Sequence, residues 1–349
     1  MGVKISDLVK DVRRTVTFEN LFKKNIAIDA FNTIYQFLAI IRQRDGTPLK
    51  DYQGNVTSHL SGLFYRSINF LENQIKPIYV FDGTPSELKL DTIRERKKVK
   101  EEAEKKMIEA QEAEDFREAK KFAQFTSKLD AGMIEESKKL IEAMGIPIVQ
   151  ASSEGEAQSA YMVEVGDAWA CASQDYDTLL FGGERLIRNF AINRSKKVKD
   201  TTVTLEIEYI SLPKFLTSLG INREQLIEMA ILIGTDFYPG IKGIGQKTAL
   251  ELIRKHGSID NILKNSVKVG NKEIDLDLNL VDHVKNIFLN PDVSRDYIIK
   301  KSKSPDFDRL TDLLIDQHNF SRKRVENALE RLRNLETSKK QVSLDNFLK

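Results

Sequence analysis

Residues Ser152 to Gly183 read SSEGEAQSAYMVEVGDAWACASQDYDTLLFGG. Two pairs of carboxylates stand in this stretch, Glu154 with Glu156 and Asp175 with Asp177. Between them Ala157 to Val165 has the pattern of a short helix, and Trp169 to Ala172 that of a buried strand running into the second pair. A strand that ends in acids sets them at a sheet's carboxyl edge, where open α/β sheets build their sites. Carboxylates gathered there repel one another, and a divalent metal with oxygen ligands is their least costly stabilisation. Each pair alone also has a bland reading. Ser153-x-x-Glu156 is a capping box, and Asp175 and Asp177 suit a turn after a strand.

The rest of the chain shifts the balance. Asn25 to Asp29 is a short apolar run ending in an aspartate, and Ala30, Ile34, Tyr35, Leu38 and Ile41 then recur at helical spacing. A second helical pattern covers roughly 57–74, and Pro77 to Phe81 is another buried strand, closed by Asp82 and Gly83. The alternation continues through Ile146 to Val149. It predicts an α/β fold with a largely parallel central sheet covered by helices on both faces. Asp29, Asp82 and the pair at 175 and 177 then share one sheet edge, and three successive acid-ended strands make a constellation.

The segment of about 86–128 is of another kind. It holds no Pro or Gly, and its early part is lopsidedly basic, with Lys89, Arg94, Arg96, Lys97, Lys98 and Lys100 facing only Asp91 and Glu95. The plain reading is a solvated helix held by charge pairs; the functional one is a basic helix gripping a phosphate chain. Thr202 to Ile210 reads as a strand at a sheet margin. A helix from Arg223 to Gly234 then delivers Asp236, a seventh acid.

Next comes Gly240-Ile241-Lys242-Gly243-Ile244-Gly245-Gln246-Lys247-Thr248. A phosphate loop needs Gly and Lys adjacent before Thr; here Gln246 intervenes and no strand precedes, so ATP binding is rejected. The stretch suits a helix-hairpin-helix over about 223–256. There Gly243 and Gly245 turn tightly, Ile244 anchors the turn, and helix-start N–H groups with Lys242 and Lys247 meet duplex phosphates. An ordinary glycine turn is the alternative.

Composition excludes several classes. Of 349 residues, 54 are basic and 52 acidic, so the net charge of +2 argues neither for nor against nucleic acid. One cysteine, Cys171, rules out a disulfide framework and a Cys-based zinc site, and reads as a core residue. The four histidines lie far apart in sequence with no ligand spacing. No signal peptide or membrane-spanning run appears, and the match of Met1 to Ser6 to a myristoylation pattern lacks a second anchor. A soluble intracellular protein is expected. Residues 1–335 are expected to form a single domain, followed by a flexible tail over 336–349.

With these residues in place, the chain closely resembles the flap endonucleases over essentially its full length. The resemblance rests on Ile28-Asp29-Ala30, Val80-Phe81-Asp82-Gly83, Glu154-Gly155-Glu156-Ala157, Ser173-Gln174-Asp175-Tyr176-Asp177, Gly234-Thr235-Asp236 and the glycine hairpin at 240–245. It implies a PIN-like 5′-nuclease fold and a structure-specific 5′-flap endonuclease with 5′-3′ exonuclease activity, acting in Okazaki fragment maturation and repair. It further implies two Mg²⁺ ions, with Mn²⁺ as a substitute, held by Asp29, Asp82, Glu154, Glu156, Asp175, Asp177 and Asp236.

Lys89 and Arg96 would contact the scissile phosphate, Tyr35 would stack on a base beside it, and segment 86–128 would be an arch passing the single-stranded flap. Gln341-x-x-Leu344-x-x-Phe347-Leu348 looks like a box for the sliding clamp (PCNA), with Leu348 where a second aromatic is usual. Lacking a basic extension after that box, the chain looks archaeal, a monomer in the cytoplasm with the chromosome. Two-metal phosphodiester hydrolysis suits a dense carboxylate cage independently. Rival readings are a bubble or four-way-junction nuclease, a non-catalytic DNA-binding clamp partner, and a phosphatase on small substrates. Degenerate acids would mark the second, and the third would need neither hairpin nor tail.

Overall fold

Seven strands make the central sheet of the computed structural model: β1 (Arg14–Val16), β2 (Asn25–Asp29), β3 (Lys76–Phe81), β4 (Ile148–Gln150), β5 (Ala170–Ala172), β6 (Arg185–Arg188) and β7 (Ile207–Ser211). They lie side by side as β1-β7-β6-β5-β2-β3-β4. The run from β4 to β6 is parallel, with Ile28 of β2 opposite Tyr79 of β3 and Ala172 of β5. Nearly every side chain of β2 and β3 is buried, as parallel strands covered on both faces require. β7 is antiparallel to β6, and β1 to β7. The strand expected from Thr202 to Ile210 divides: Thr201–Thr204 pairs with Ser195–Val198 outside the sheet, and Ile207–Ser211 joins the margin.

The helices are α1 (Ala30–Ile40), α2 (Ser58–Glu72), α3 (Leu90–Glu112), α4 (Phe116–Ala123), α5 (Ala131–Ala143), α6 (Gly155–Glu164), α7 (Asp177–Leu180), α8 (Leu212–Leu219), α9 (Arg223–Ile233), α10 (Gln246–His256), α11 (Ile259–Lys264), α12 (Leu278–Leu289), α13 (Phe307–Thr311) and α14 (Arg322–Phe347). The structure describes residues 2–113, 115–191, 195–198, 201–270, 272–299 and 303–347, with backbone alone for 195–198, 201–204, 338–347 and residues 91, 120 and 272. α14 carries the backbone of the expected tail as helix to Phe347; the side chains of Gln341, Leu344 and Phe347, and all of Leu348, lie outside the described residues.

Two main apolar clusters and a smaller third hold the sheet. Ile26, Ile28, Tyr79 and Phe81 face α1, α2, α5 and α14, whereas Ala27, Ile78, Val80 and Cys171 point the other way towards Met162 and Val163 of α6. Alternation along each strand thus serves both faces. A second large cluster joins α7 to α12 and includes Val3, Ile5 and Val9 of the first ten residues. Fully burying one such Val or Ile contributes about 1.5–3 kcal/mol, so the N-terminal segment is firmly seated.

Connections run outward from β2 to β3 and β4 in one direction, whereas β5 and β6 lie on its other side. Such a switch point opens a crevice at the carboxyl ends of β2 and β5. α3 leaves β3 beside this crevice. It packs on α4, the break between them falling where Asp115 caps α4 by accepting from the Glu118 N–H at 3.0 Å. The pair is moored by Gln111 to the Asp45 carbonyl (3.0 Å) and by Arg42 to the Ser127 hydroxyl (3.1 Å).

Candidate active site

Each strand-end acid is positioned by the turn that follows it. Asp29 ends β2 and caps α1, its Oδ1 accepting from the Asn32 N–H at 2.9 Å. Asp82 lies just past β3, and its Oδ1 accepts from the Gly155 N–H at 2.8 Å. A Cβ on Gly155 would stand 2.6 Å from that oxygen, so glycine between Glu154 and Glu156 lets α6 begin against Asp82. The capping-box reading fails here. Glu154 sits at the N-cap of α6 without a side-chain cap bond, and Glu156 Oε1 instead accepts from the Ser173 (2.8 Å) and Thr178 (3.2 Å) hydroxyls. Ser173 also approaches Asp29 at 3.2 Å, so its hydroxyl, just past β5, bridges Glu156 to Asp29.

Asp175 and Asp177 meet the chain's first residues. The Gly2 N–H donates to Asp175 at 3.1 Å, the Val3 N–H to Asp177 at 2.7 Å, and the Asn32 amide to Asp175 at 3.0 Å. Asp236 enters from the turn after α9, where Gly234 takes a φ of 113° that favours glycine. Arg96 ion-pairs with Asp236, and Lys89 with Glu154, with Asp236 a further 3.9 Å from the same ammonium.

Burial and mutual repulsion dominate the electrostatics. Asp29 is pushed up to about 8 by burial and then by Asp82, and Asp82 to about 6 by burial and Glu154. Asp177 rises to about 7 through burial and Asp236, and Glu156 rises through burial and the charges of Asp177, Asp175 and Asp29. For Lys89, burial opposes the charge, but Glu154, Asp236 and Asp82 outweigh it and hold the ammonium firmly protonated.

Among the described residues no three acids close on a single point tightly enough to make a finished coordination sphere. The donor set is nevertheless all carboxylate oxygen, buried and crowded beyond what two cations neutralise. That fits hard divalent ions, which would lower the charge Asp29, Asp82, Glu156 and Asp177 now resist.

Of the other expected residues, Tyr35 turns away from the buried Thr33, Ile34, Phe37 and Leu38 of α1, and Lys100 of the arch stands over its ring at 4.6 Å. In the hairpin, Ile244 is buried as expected, while Lys242, Gly243, Gly245 and Lys247 are exposed. The two glycines differ. Gly243 has a φ of 95°, whereas Gly245 is extended (φ −100°) with open space at its Cβ, so the turn itself demands glycine at 243.

Sequence reasoning missed Gly2, Val3, Asn32, Ser173 and Thr178. Ser173 stands inside one quoted motif, and Asn32 and Thr178 lie close beside others, so these could have been suspected; backbone N–H groups from residues 2 and 3 leave no sequence signal.

Comparison with known proteins places this geometry in a class. Residues 1–103 match the XPG N-terminal domain, 145–236 the XPG I-region, and 221–296 the 5′-3′ exonuclease C-terminal SAM fold. Flap endonuclease 1 of Ignicoccus hospitalis is 49% identical over 342 residues, covering 97% of this chain and 95% of its own. That of Pyrococcus furiosus is 49% identical over 352 residues, with both chains covered completely. The solved flap endonuclease-1 from Methanococcus jannaschii superposes with a TM-score of 0.73 at 41% identity, over 97% of this chain and 100% of that one. The catalytic core of Rad2 in complex with DNA gives a TM-score of 0.73 at 25% identity, over 95% and 100%. The chain belongs to the flap endonuclease family, whose members are metal-dependent nucleases acting on branched DNA.

Proposed function

We propose that this chain is a structure-specific 5′-flap endonuclease with 5′-3′ exonuclease activity, using two Mg²⁺ ions that Mn²⁺ can replace. The observation that carries this is seven carboxylates at one sheet edge beneath a basic arch, with Lys89 and Arg96 already reaching into them. Asp29, Asp82, Glu154, Glu156, Asp175, Asp177 and Asp236 would hold the ions, which supply water activated for attack and stabilisation of the leaving oxygen. Ser173, Asn32 and the Gly2 and Val3 amides orient these carboxylates.

Lys89 and Arg96 exchange their carboxylate partners for oxygens of the scissile phosphate, where negative charge grows in the transition state. Tyr35 offers its ring to the adjacent base once Lys100 gives way, and the arch passes the single strand. Lys242, Gly243, Gly245 and Lys247 hold the duplex at the hairpin without reading sequence. Gln341, Leu344, Phe347 and Leu348 dock on a sliding clamp, and the monomeric enzyme works with the chromosome in the cytoplasm. The test is a labelled double-flap DNA incubated with Mg²⁺, with chelator, and with clamp added. Incision at the branch that chelator abolishes is expected; metal-independent cutting, or none on any branched DNA, overturns the reading.

A further inference from the structure

Residues 2–10 touch both the acids and the hairpin. At one end the Gly2 and Val3 N–H groups hold Asp175 and Asp177. The fit there has no slack: a Cβ on Gly2 would lie 2.7 Å from Asp177 Oδ1 and 2.9 Å from the Asp175 Cβ. At the other end Asp7 and Gln246 form a two-way clasp. The Asp7 N–H donates to Gln246 Oε1 at 3.1 Å, and Gln246 Nε2 donates to Asp7 Oδ2 at 2.7 Å. Gln246 is the first residue of α10, next to the exposed Lys247, and Lys4 lines the concavity formed by Gly240, Lys242, Gly243 and Gly245. Along the segment Val3, Ile5 and Val9 are buried in one apolar cluster with Ile244 and Ala249 of the hairpin.

The hairpin is therefore tied to the acids by two routes. One is the chain itself, from Asp236 into Gly240–Gly245. The other is this N-terminal segment, which reaches Asp175 and Asp177. Two ties fix a register where one would leave a hinge. We propose that residues 2–10 are a strut that sets the register between a hairpin-bound duplex and Asp175 and Asp177, with Asp7 and Gln246 as positioning residues. The proposal rests on reading the hairpin as the duplex site and the acids as the incision centre. Neither Asp7 nor Gln246 touches the reacting phosphate; they decide which phosphate arrives.

Asp7 is exposed, so replacing it spares the core. The experiment uses the full chain with Asp7→Ala, Gln246→Glu and Asp7→Asn. Hydrogen exchange is followed with a metal-free duplex probe, and incision positions are mapped on a double flap with Mg²⁺. In the wild type, duplex should protect both the 240–250 peptide and the 2–8 peptide. Asp7→Ala should keep duplex affinity within about twofold, since Asp7 lies outside the phosphate-facing hairpin; Gln246→Glu sets a negative charge beside Lys247 and should weaken binding, so it is compared at saturating duplex. Both variants should lose protection of the 2–8 peptide and raise cutting at neighbouring phosphodiesters by about fivefold, the scale of one hydrogen bond. Asp7→Asn, whose amide oxygen still accepts from Gln246, should behave as wild type. If Asp7→Ala keeps both the protection of residues 2–8 and the single incision position, the strut is refuted. If duplex leaves 240–250 unprotected in the wild type, the hairpin reading falls, and the strut falls with it.

Discussion

Asp29 and Asp51 are both buried carboxylates, yet one is pushed up to about 8 and the other held down at about 2. Burial works against charge at both. At Asp51 it is outweighed by hydrogen bonds: the Asn55 amide (2.9 Å), the His318 ring (3.0 Å), and the backbone N–H groups of Asn55 (2.8 Å) and Gln53 (2.9 Å). The other nitrogen of His318 lies 3.3 Å from Glu136, and Glu136 lies 3.6 Å from the buried His59. Asp51, His318, Glu136 and His59 thus tie a surface loop to α5, α2 and the turn before α14. At Asp29, by contrast, the neighbours are Asp82 and Asp175, and the compensating bonds are few. Asp51 is satisfied from within the protein, even though the ring nitrogens of His59 find no hydrogen-bond partner. Asp29 is left in want of positive charge, which is how a site awaiting cations differs from a structural network.

Removing a carboxylate should therefore have opposite consequences in the two places. Asp175→Ala should lower flap cleavage by orders of magnitude, because a ligand position is lost, while DNA affinity stays within a few-fold. In chelator the variant should melt no lower than the wild type, since Asp29, Glu156 and Asp177 each lose a like charge. Mg²⁺ should raise the wild-type melting temperature through selective binding to the folded state, and raise that of the variant less. Cleavage by Asp175→Ala near the wild-type rate would sink the two-metal assignment.

Next in size come Lys89→Ala and Arg96→Ala. The pair set positive charge against Glu154 and Asp236, and both would have to turn to the phosphate. An interaction made mainly in the transition state lowers turnover more than binding when it is removed. Each substitution should cost about a hundredfold in single-turnover rate, comparable to losing one oxyanion donor. Arg96→Lys should recover only part, since Lys lacks the planar fork. Weakened binding with an unchanged single-turnover rate at saturating enzyme would show that both merely hold the strand.

Most of the seven acids were legible because each ends or follows a run the sequence marks as buried strand, and parallel neighbours must bring those ends together; Asp236 instead follows a helix. Asp29, Asp82 and Asp175 needed no more than that. What stayed hidden depends on contacts across long separations with no repeating pattern. His59 and His318, far apart in sequence, share Glu136. The Gly2 and Val3 amides reach Asp175 and Asp177 across more than 170 residues. Gly243 and Gly245 look equivalent in sequence, and only backbone torsion separates them. The division of the 202–210 strand is of the same kind, since alternation marks strand character but not which partner a strand finds.

The smallest expected effect concerns Asp51 and is read in stability rather than rate. Asp51→Asn keeps an oxygen for the backbone donors but loses the charge that strengthens four hydrogen bonds, a cost of about 1–3 kcal/mol. The melting temperature should fall by a few degrees, with single-turnover cleavage unchanged, because no acid of the cage bonds to this cluster. The two clusters also predict opposite pH arms. A carboxylate held below its ordinary 3.8 stabilises the fold above that pH, and this is lost as pH falls towards 2. Carboxylates raised to about 6, 7 and 8 at Asp82, Asp177 and Asp29 do the reverse: the fold is favoured below their unfolded values, and that advantage disappears as pH climbs through 6 to 8. In chelator the melting temperature should therefore decline on both sides of a mildly acidic maximum. Asp51→Asn should flatten only the acid arm. Mg²⁺ should lift only the neutral arm, where the cage carboxylates are ionised and able to bind it. A variant that flattens neither arm, or an arm at neutral pH indifferent to Mg²⁺, would break the contrast between a carboxylate satisfied by the protein and one kept for an ion.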